Sequence, residues 1–303
     1  TVSQERKIID IYGSASLNNK LHEIVGNFNP NLIILGHADA ISNDALKKIK
    51  NFYPSIKFCQ WFLDKMDSNI WSVNRDRFLK KIKFLDCSFC TTHPDALNIL
   101  KNKKVFFIPN PVDDTFENLE LYKKEIYKYD LFFALSHGVH RGTLKKGKTD
   151  KREIFLNKLI NLSNEIRFNI FGINDNQPVW AENFKKELSK SKMALNLSQG
   201  DPLKFYSSDR ISQLIGNGIL TFVDKKTKLN KIFKKDEVVF YSGVKDLIKK
   251  IKKYKNSDKL RNKIAKKGML KYHKYMNSKL VAEYMIDKTF DINHKKKFFW
   301  ENK

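Results

Sequence analysis

Hydrophobic positions along this chain follow two alternating rhythms. Short continuous apolar runs occur at NLIILG (31–36), IKFCQWFL (56–63), FLDCSFCTT (84–92) and KVFFIPN (104–110). Between them lie stretches such as NDALKKIKNF and NRDRFLKKIKF, whose apolar residues recur every three to four positions. The first kind reads as strands buried on both faces, the second as amphipathic helices. The same alternation resumes at YDLFFALSHG (129–138), EIRFNIFG (165–172), KMALNLSQG (192–200), GILTFVD (218–224) and EVVFYSG (237–243). The helical patterns of this second series are DKREIFLNKLINLS, VWAENFKKELSKS, SDRISQLIGN and KLNKIFKK, and from 244 to about 290 the pattern is helical throughout, with lysine on one face.

Strands alternating with crossover helices predict parallel, doubly wound sheets. The alternation breaks at IPNPVDDTFENLELYKKEIYKY, where Pro109 and Pro111 bracket Asn110 before the next strand begins at 129. This stretch reads as an interdomain linker. The expectation is an α/β chain of two Rossmann-like domains facing a cleft: 1–112, 113–277, and a helix with a basic tail over 278–303 that crosses back to the first domain.

In open α/β sheets ligands sit beyond the carboxyl ends of the strands, so the loops after these runs are the places to look for chemistry. The loop SHGVHRGTLKKGKTDKR (136–152) carries three glycines, two histidines and a group of cations. Glycines let backbone N–H groups approach an anion, and cationic side chains add charge-assisted hydrogen bonds. His137, Gly138, Arg141, Lys145 and Lys148 are therefore candidates for a diphosphate, although neither G-x-x-x-x-G-K-[ST] nor G-x-G-x-x-G occurs here.

A second loaded loop, QGDPLKFYSSDR (199–210), leads into a short helical pattern that is nearly free of lysine. Ser207 or Ser208 suits the N-cap, and Asp209 complements the positive end of the helix dipole. Lys204 and Arg210 bring positive charge to a helix start that attracts anions. Arg210, Gln213 and Asn217 fall on one polar stripe, Ile211, Leu214 and Ile215 on the opposite, core-facing one, and Gly218 closes the helix.

An arginine, a polar residue three positions on, then G-x-G and an apolar strand resembles the donor-site signature of GT-B type glycosyltransferases, in particular the CgeB-like and glycosyl transferases group 1 families. In that pattern, R-x-x-E-a-x-a-x-G-x, the acidic residue commonly binds the ribose of a nucleotide sugar. The arginine corresponds to Arg210, and Gln213 stands at the acidic position. FIPNPVDDTF resembles the linker between acceptor and donor halves, and CQWFLDKMD the W-x-x-D segment of CgeB-like N-terminal domains.

The resemblance implies a hexosyltransferase-like enzyme that moves a sugar from a nucleotide-diphospho-sugar to a glycan or lipid-linked acceptor, in cell-surface polysaccharide or lipopolysaccharide synthesis. It places the diphosphate on the 137–148 loop with Lys204, Ser207, Ser208 and Arg210, and ribose or sugar contacts on Asp209, Gln213 and Asn217. No cofactor is expected beyond the nucleotide-sugar co-substrate. With no D-x-D in the expected setting, no metal is expected either. The acceptor belongs near GHAD (36–39) and Trp61 to Asp64, where His37 and Asp39 follow a strand and are candidates for the base of an inverting reaction.

Composition adds the surroundings. The 303 residues include 58 Lys+Arg against 33 Asp+Glu, a formal charge of +25, which points to anionic partners. An anionic membrane surface fits the implied acceptor, and HKKKFFWENK at the end of the chain has the mixture of basic and aromatic residues of an interfacial anchor. Charge alone also allows a nucleic-acid-binding protein, but it is spread over nearly all helices without a nucleic-acid motif, so no nucleic acid is expected. A catalytically silent sugar-nucleotide binding relative is the remaining alternative, given Gln213.

Three cysteines, Cys59, Cys87 and Cys90, argue for buried thiols in a reducing cytoplasm, and the lone C-x-x-C of DCSFCTT is read as structural. No apolar run reaches the roughly 18 residues of a membrane span. The expected location is cytoplasmic, peripheral at the inner membrane face. The chain begins on Thr1 without methionine, and the expectation is that natural residues precede it.

Overall fold

Each of the nine apolar runs forms a strand, and every strand pairing among the described residues is parallel. The computed structural model describes residues 2–66, 72–97, 104–135, 151–174, 176–293 and 298–301, with only the backbone for 2–8. The chain divides into two units, Thr1–Ile108 with Glu283–Lys296, and Pro109–Ala282 with Lys297–Lys303.

The first unit contains helix α1 (Val2–Phe28), which is interrupted at Gly13, where φ is +77°. Then follow β1 (Leu32–Gly36), α2 (Asn43–Phe52), β2 (Lys57–Phe62), α3 (Ser72–Ile82), β3 (Cys87–Cys90) and β4 (Val105–Phe107). Ser42 caps α2 by accepting from the Ala45 N–H at 3.0 Å. The strand order is β1-β2-β3-β4, which differs from the doubly wound expectation. A reversal needs a strand laid on the free side of β1, and among the described residues none pairs there. Cys59 and Cys87 are paired neighbours in β2 and β3; with Cys90 they are buried free thiols, each pushed to a higher pKa by burial.

The second unit contains β5 (Tyr129–Ala134), α4 (Lys151–Asn161), β6 (Phe168–Phe171), α5 (Ala181–Leu188), β7 (Ser191–Asn196), α6 (Arg210–Gly216), β8 (Leu220–Asp224), β9 (Val239–Tyr241), α7 (Gly243–Lys255) and α8 (Asp258–Tyr275). The last helix, α9 (Ser278–Thr289), runs from this unit into residues assigned to the first.

The order β6-β5-β7-β8-β9 reverses at β5, so β6 lies on one side of β5 and β7 on the other. This reversal opens the position where α/β sheets hold ligands. Both faces of the sheet are covered, which is why its strands read as unbroken apolar runs. Leu131, Phe133, Met193 and Phe222 pack with Leu156 and Leu159 of α4 and Leu247 and Ile251 of α7. On the other face Phe132, Ala134 and Ala194 pack with Leu188 of α5 and Leu214 of α6.

One buried charge braces this sheet. The Asp130 side chain is fully buried; it accepts from the Arg167 backbone N–H at 2.9 Å and lies 3.0 Å from Lys255 Nζ. Burial pushes the carboxyl up, but the Arg167 and Lys255 hydrogen bonds more than offset this and hold it below the usual aspartate value. An acid depressed in the folded state contributes stability above its unfolded pKa of about 4 and loses it as pH falls through the lower folded value. Asp130→Asn is therefore expected to destabilise the protein by about 2 kcal/mol at neutral pH and to flatten the loss of stability below about pH 4, measured by urea unfolding across pH.

The end of the chain differs from an interfacial anchor. Phe298 and Trp300 are buried, and Phe299 stacks on Tyr275 at 5.2 Å, all within the second unit. These aromatic rings serve a protein core, where they gain more by packing than by waiting for a membrane. No helix among the described residues is long and apolar enough to cross a membrane.

Candidate active site

The second unit holds a cavity of about 430 Å³ beside the point where its strand order reverses. Its floor is the carboxyl end of β5, at Ala134 and Leu135. One wall is the start of α5, where Trp180 and Phe184, four positions apart, share a face with Lys185 nearby. Another wall is α6, through Asp209, Arg210, Gln213 and Asn217. Phe116 and Glu117, from the segment after the two prolines, close the remaining side.

Arg210 is buried, its guanidinium 5.0 Å from the centre of the Phe133 ring. Its Nε donates to the Ala134 carbonyl at 2.8 Å, and Nη1 donates to the Leu197 carbonyl at 3.0 Å. These carbonyls lie at the carboxyl ends of neighbouring strands β5 and β7, so one planar cation ties the two strand ends on either side of the gap. Two of its nitrogens thus serve main chain at the cavity floor, and the Ser208 hydroxyl accepts from Nη1 at 3.2 Å.

The start of α6 departs from the expected serine cap. The helix has seven residues, Asp209 stands at the N-cap position without a side-chain cap, and Ser207 and Ser208 are used elsewhere. Ser207 is buried and its hydroxyl donates to Asn196 Oδ1 at 3.1 Å, while the Ser207 carbonyl accepts from Asn110 Nδ2 at 2.9 Å. The hydroxyls do more by linking the loop to β7 and the linker than by closing a two-turn helix. Lys204 is half-buried, with its ammonium 5.2 Å from the Phe205 ring centre. Asp209 is exposed at the cavity rim.

The other end of α6 is as the pattern predicts. Gly218 has φ +72°, its N–H donates to Ile215 O at 3.0 Å, and the Ile219 N–H reaches Leu214 O at 3.4 Å. This paired closure needs the left-handed residue that glycine supplies. Ile211, Leu214 and Ile215 are buried on the core side. Asn217 lines the cavity but is buried: its Oδ1 accepts from Leu119 N at 3.2 Å and its Nδ2 donates to Gln213 O at 2.8 Å. Both ends of the amide serve main chain, so Asn217 fastens the segment around 119 to α6. Gln213 lies one turn earlier and lines the cavity, and its side-chain amide makes no hydrogen bond among the described residues.

His137, Gly138, Arg141, Lys145 and Lys148 lie outside the described residues. In the first unit, His37 follows β1 with φ +47°; its ring lies 4.5 Å from that of Phe62 and its Nε2 3.8 Å from Asp64 Oδ2. Asp39 is paired with Arg77, whose Nε donates to Oδ1 at 3.1 Å. Among the described residues no group of His, Cys, Asp and Glu could hold a metal ion.

Several cavity residues carry no signal in the sequence that sets them apart, among them Phe116, Glu117, Trp180, Phe184 and Lys185. Glu117 in particular meets α6 only through the fold: a Cβ on Gly216 would lie 2.9 Å from its Cβ and 3.0 Å from its Cγ.

Residues 151–287, which include α5, α6 and the strand ends after β6, match the glycosyl transferase-like family. The chain's α/β fold with parallel sheets matches that of solved GT-B glycosyltransferases. The chain is similar to Anabaena HepE in complex with UDP and glucose, with a TM-score of 0.62 at 11% identity over 94% of this chain and 83% of that one. It is similar to an S. aureus TarM variant solved with Fondaparinux, alpha-GlcNAc-glycerol and UDP, with a TM-score of 0.57 at 13% identity over 88% of this chain and 58% of TarM. It is also similar to sucrose-phosphate synthase from Thermosynechococcus elongatus, with a TM-score of 0.60 at 9% identity over 95% and 79% of the two chains. No curated protein matches it in sequence.

Proposed function

We propose that this protein is a glycosyltransferase that takes a sugar from a nucleotide-diphospho-sugar and binds the nucleoside end of that donor in the cavity of its second unit. The observation that carries this reading is the position of the cavity: it lies at the strand-order reversal, on strand ends tied by Arg210, with its α5 and α6 walls inside the segment that matches the family. The apolar faces of Phe116, Trp180 and Phe184 suit a base and sugar ring, and the polar α6 side suits hydroxyls. UDP in the HepE and TarM complexes supports the same donor class.

In the reaction, the bond between the sugar anomeric carbon and the diphosphate oxygen breaks, and a bond from that carbon to an acceptor hydroxyl oxygen forms. The acceptor proton passes to a base, and the negative charge grows on the departing nucleoside diphosphate. Lys204 and the cations of the 137–148 loop are the groups proposed to stabilise that charge, the work a metal does in other transferases. Arg210 contributes by holding the cavity floor. For the base, His37, with Asp64 Oδ2 3.8 Å from its Nε2, is a better candidate than Asp39, whose carboxylate is already held by Arg77.

A glycan or lipid-linked acceptor fits the family resemblance, and the +25 charge favours one presented at an anionic surface. Buried, free cysteines accord with a reducing compartment. A thermal-shift panel of UDP-, GDP-, CMP- and dTDP-sugars tests the donor assignment. At 100 times its Kd the cognate donor is expected to stabilise the protein by about 2.7 kcal/mol. A flat panel overturns the reading, and stabilisation without sugar release identifies a binding module instead of an enzyme.

A further inference from the structure

The cavity has a neutral side chain where the resembled family keeps an acid, yet a carboxylate reaches the same space from another element. Glu117 lies after the linker prolines and packs on the last turn of α6, where only glycine at 216 leaves room for its stem. Three contacts hold it there. Its Oε2 accepts from the Asp113 N–H at 3.0 Å, its own N–H donates to the Asp113 carbonyl at 2.8 Å, and Asn217 Oδ1 anchors the neighbouring Leu119 N–H at 3.2 Å. The other carboxylate oxygen, Oε1, accepts no hydrogen bond among the described residues.

Gln213 is one helical turn from Gly216, so Glu117 and Gln213 flank the same corner of the cavity. The second carboxylate of the cavity, Asp209, is exposed at the opposite end of α6. We propose that Glu117 accepts hydrogen bonds from the vicinal ribose hydroxyls of the donor nucleotide, in the role the family resemblance assigns to the helix position of Gln213. This inference rests on the donor reading above and adds the residue that selects a ribonucleotide. Burial and the nearby Asp113 charge raise the Glu117 carboxyl above the usual glutamate value, and donated hydroxyl protons are what such a carboxylate lacks.

The test is calorimetric titration of the full chain with UDP and GDP, each beside its 2′-deoxy form, for the wild type and for Glu117→Gln. An amide oxygen at 117 can still accept from Asp113 N–H, so the variant keeps the loop in place. The expected result is that Glu117→Gln weakens binding of the ribonucleotide by about tenfold and of the deoxynucleotide, which keeps only its 3′-hydroxyl, by no more than about threefold. The double variant Glu117→Gln, Gln213→Glu is expected to recover most of the loss. Equal weakening of both nucleotides, or no weakening, overturns the inference while leaving the donor reading intact. Failure of the wild type to bind any of the four overturns the donor reading, and the inference with it.

Discussion

Arg210→Ala is expected to weaken nucleotide binding at least tenfold and to lower stability by about 3 kcal/mol. The reason is the double duty of one buried guanidinium. It donates to the carbonyls of Ala134 and Leu197, at the ends of two neighbouring strands, and lies against the Phe133 ring. Hydrogen bonds to a charged group contribute about 1.5–3 kcal/mol each, and their removal takes a donor from the buried Ala134 carbonyl and from the partly buried Leu197 carbonyl. The strand ends that floor the cavity are then free to shift. Lysine cannot replace the fork, because its single nitrogen cannot hold both carbonyls in the guanidinium geometry, so Arg210→Lys is expected to recover little. Calorimetric titration and urea unfolding of the same variant separate the two effects. Unchanged nucleotide affinity alongside lowered stability would show that the floor of the cavity plays no part in binding.

Gly172→Ala is expected to lower the melting temperature by about 10 °C, the result of about 3 kcal/mol or more of destabilisation in a unit of this size. Gly172 follows β6 with φ +82°, a left-handed conformation that disfavours any side chain. More serious is the space: a Cβ would lie 1.9 Å from the carbonyl oxygen of Leu135 and 2.9 Å from its carbonyl carbon. These are main-chain atoms, and Leu135 is itself tied to Phe171 by a 3.1 Å hydrogen bond, so relief requires moving the end of β5. Leu135 lines the cavity, and the displacement is expected to carry into nucleotide binding. Gly243→Ala supplies the comparison, since Gly243 has φ +78° but a Cβ there would meet nothing within 4 Å. Its cost is the backbone conformation alone, about 1 kcal/mol. Equal falls in melting temperature for the two variants would refute the role of crowding at Gly172.

The reach of the sequence can be followed residue by residue. All nine strands of the described residues fall on the apolar runs, β7 starting one residue before its run at Ser191, and the core stripe of Ile211, Leu214 and Ile215 and the closing glycine at 218 are where the pattern puts them. Each of these follows from neighbours in the chain. The serines before α6 show where that logic stops. Ser207 has the chemistry of a cap, but it meets Asn196 in the folded chain, and a hydroxyl takes the partner that tertiary packing brings within reach. Asn217 looks like a polar face residue at helical spacing, and is instead buried by the segment that returns across the end of α6. The aromatic anchor expected at the chain end met the same outcome, because a core was available for Phe298 and Trp300.

By itself, the sequence determined the class of this protein: alternating strands and helices, parallel sheets, a break at the linker prolines, and a short helix at 210–216 with a polar and an apolar stripe. Periodicity, turn chemistry and capping act between residues a few positions apart, so they can be read along the chain. The tertiary structure alone decided what the cavity contains. Arg210 reaches a carbonyl 76 positions away, and Asn217 holds a backbone N–H 98 positions away. Main-chain groups are the same at every residue and leave no mark in the sequence that identifies them as partners. The place of Glu117 beside Gln213 likewise depends on Gly216 admitting it, a meeting that depends on how the folded chain returns across α6.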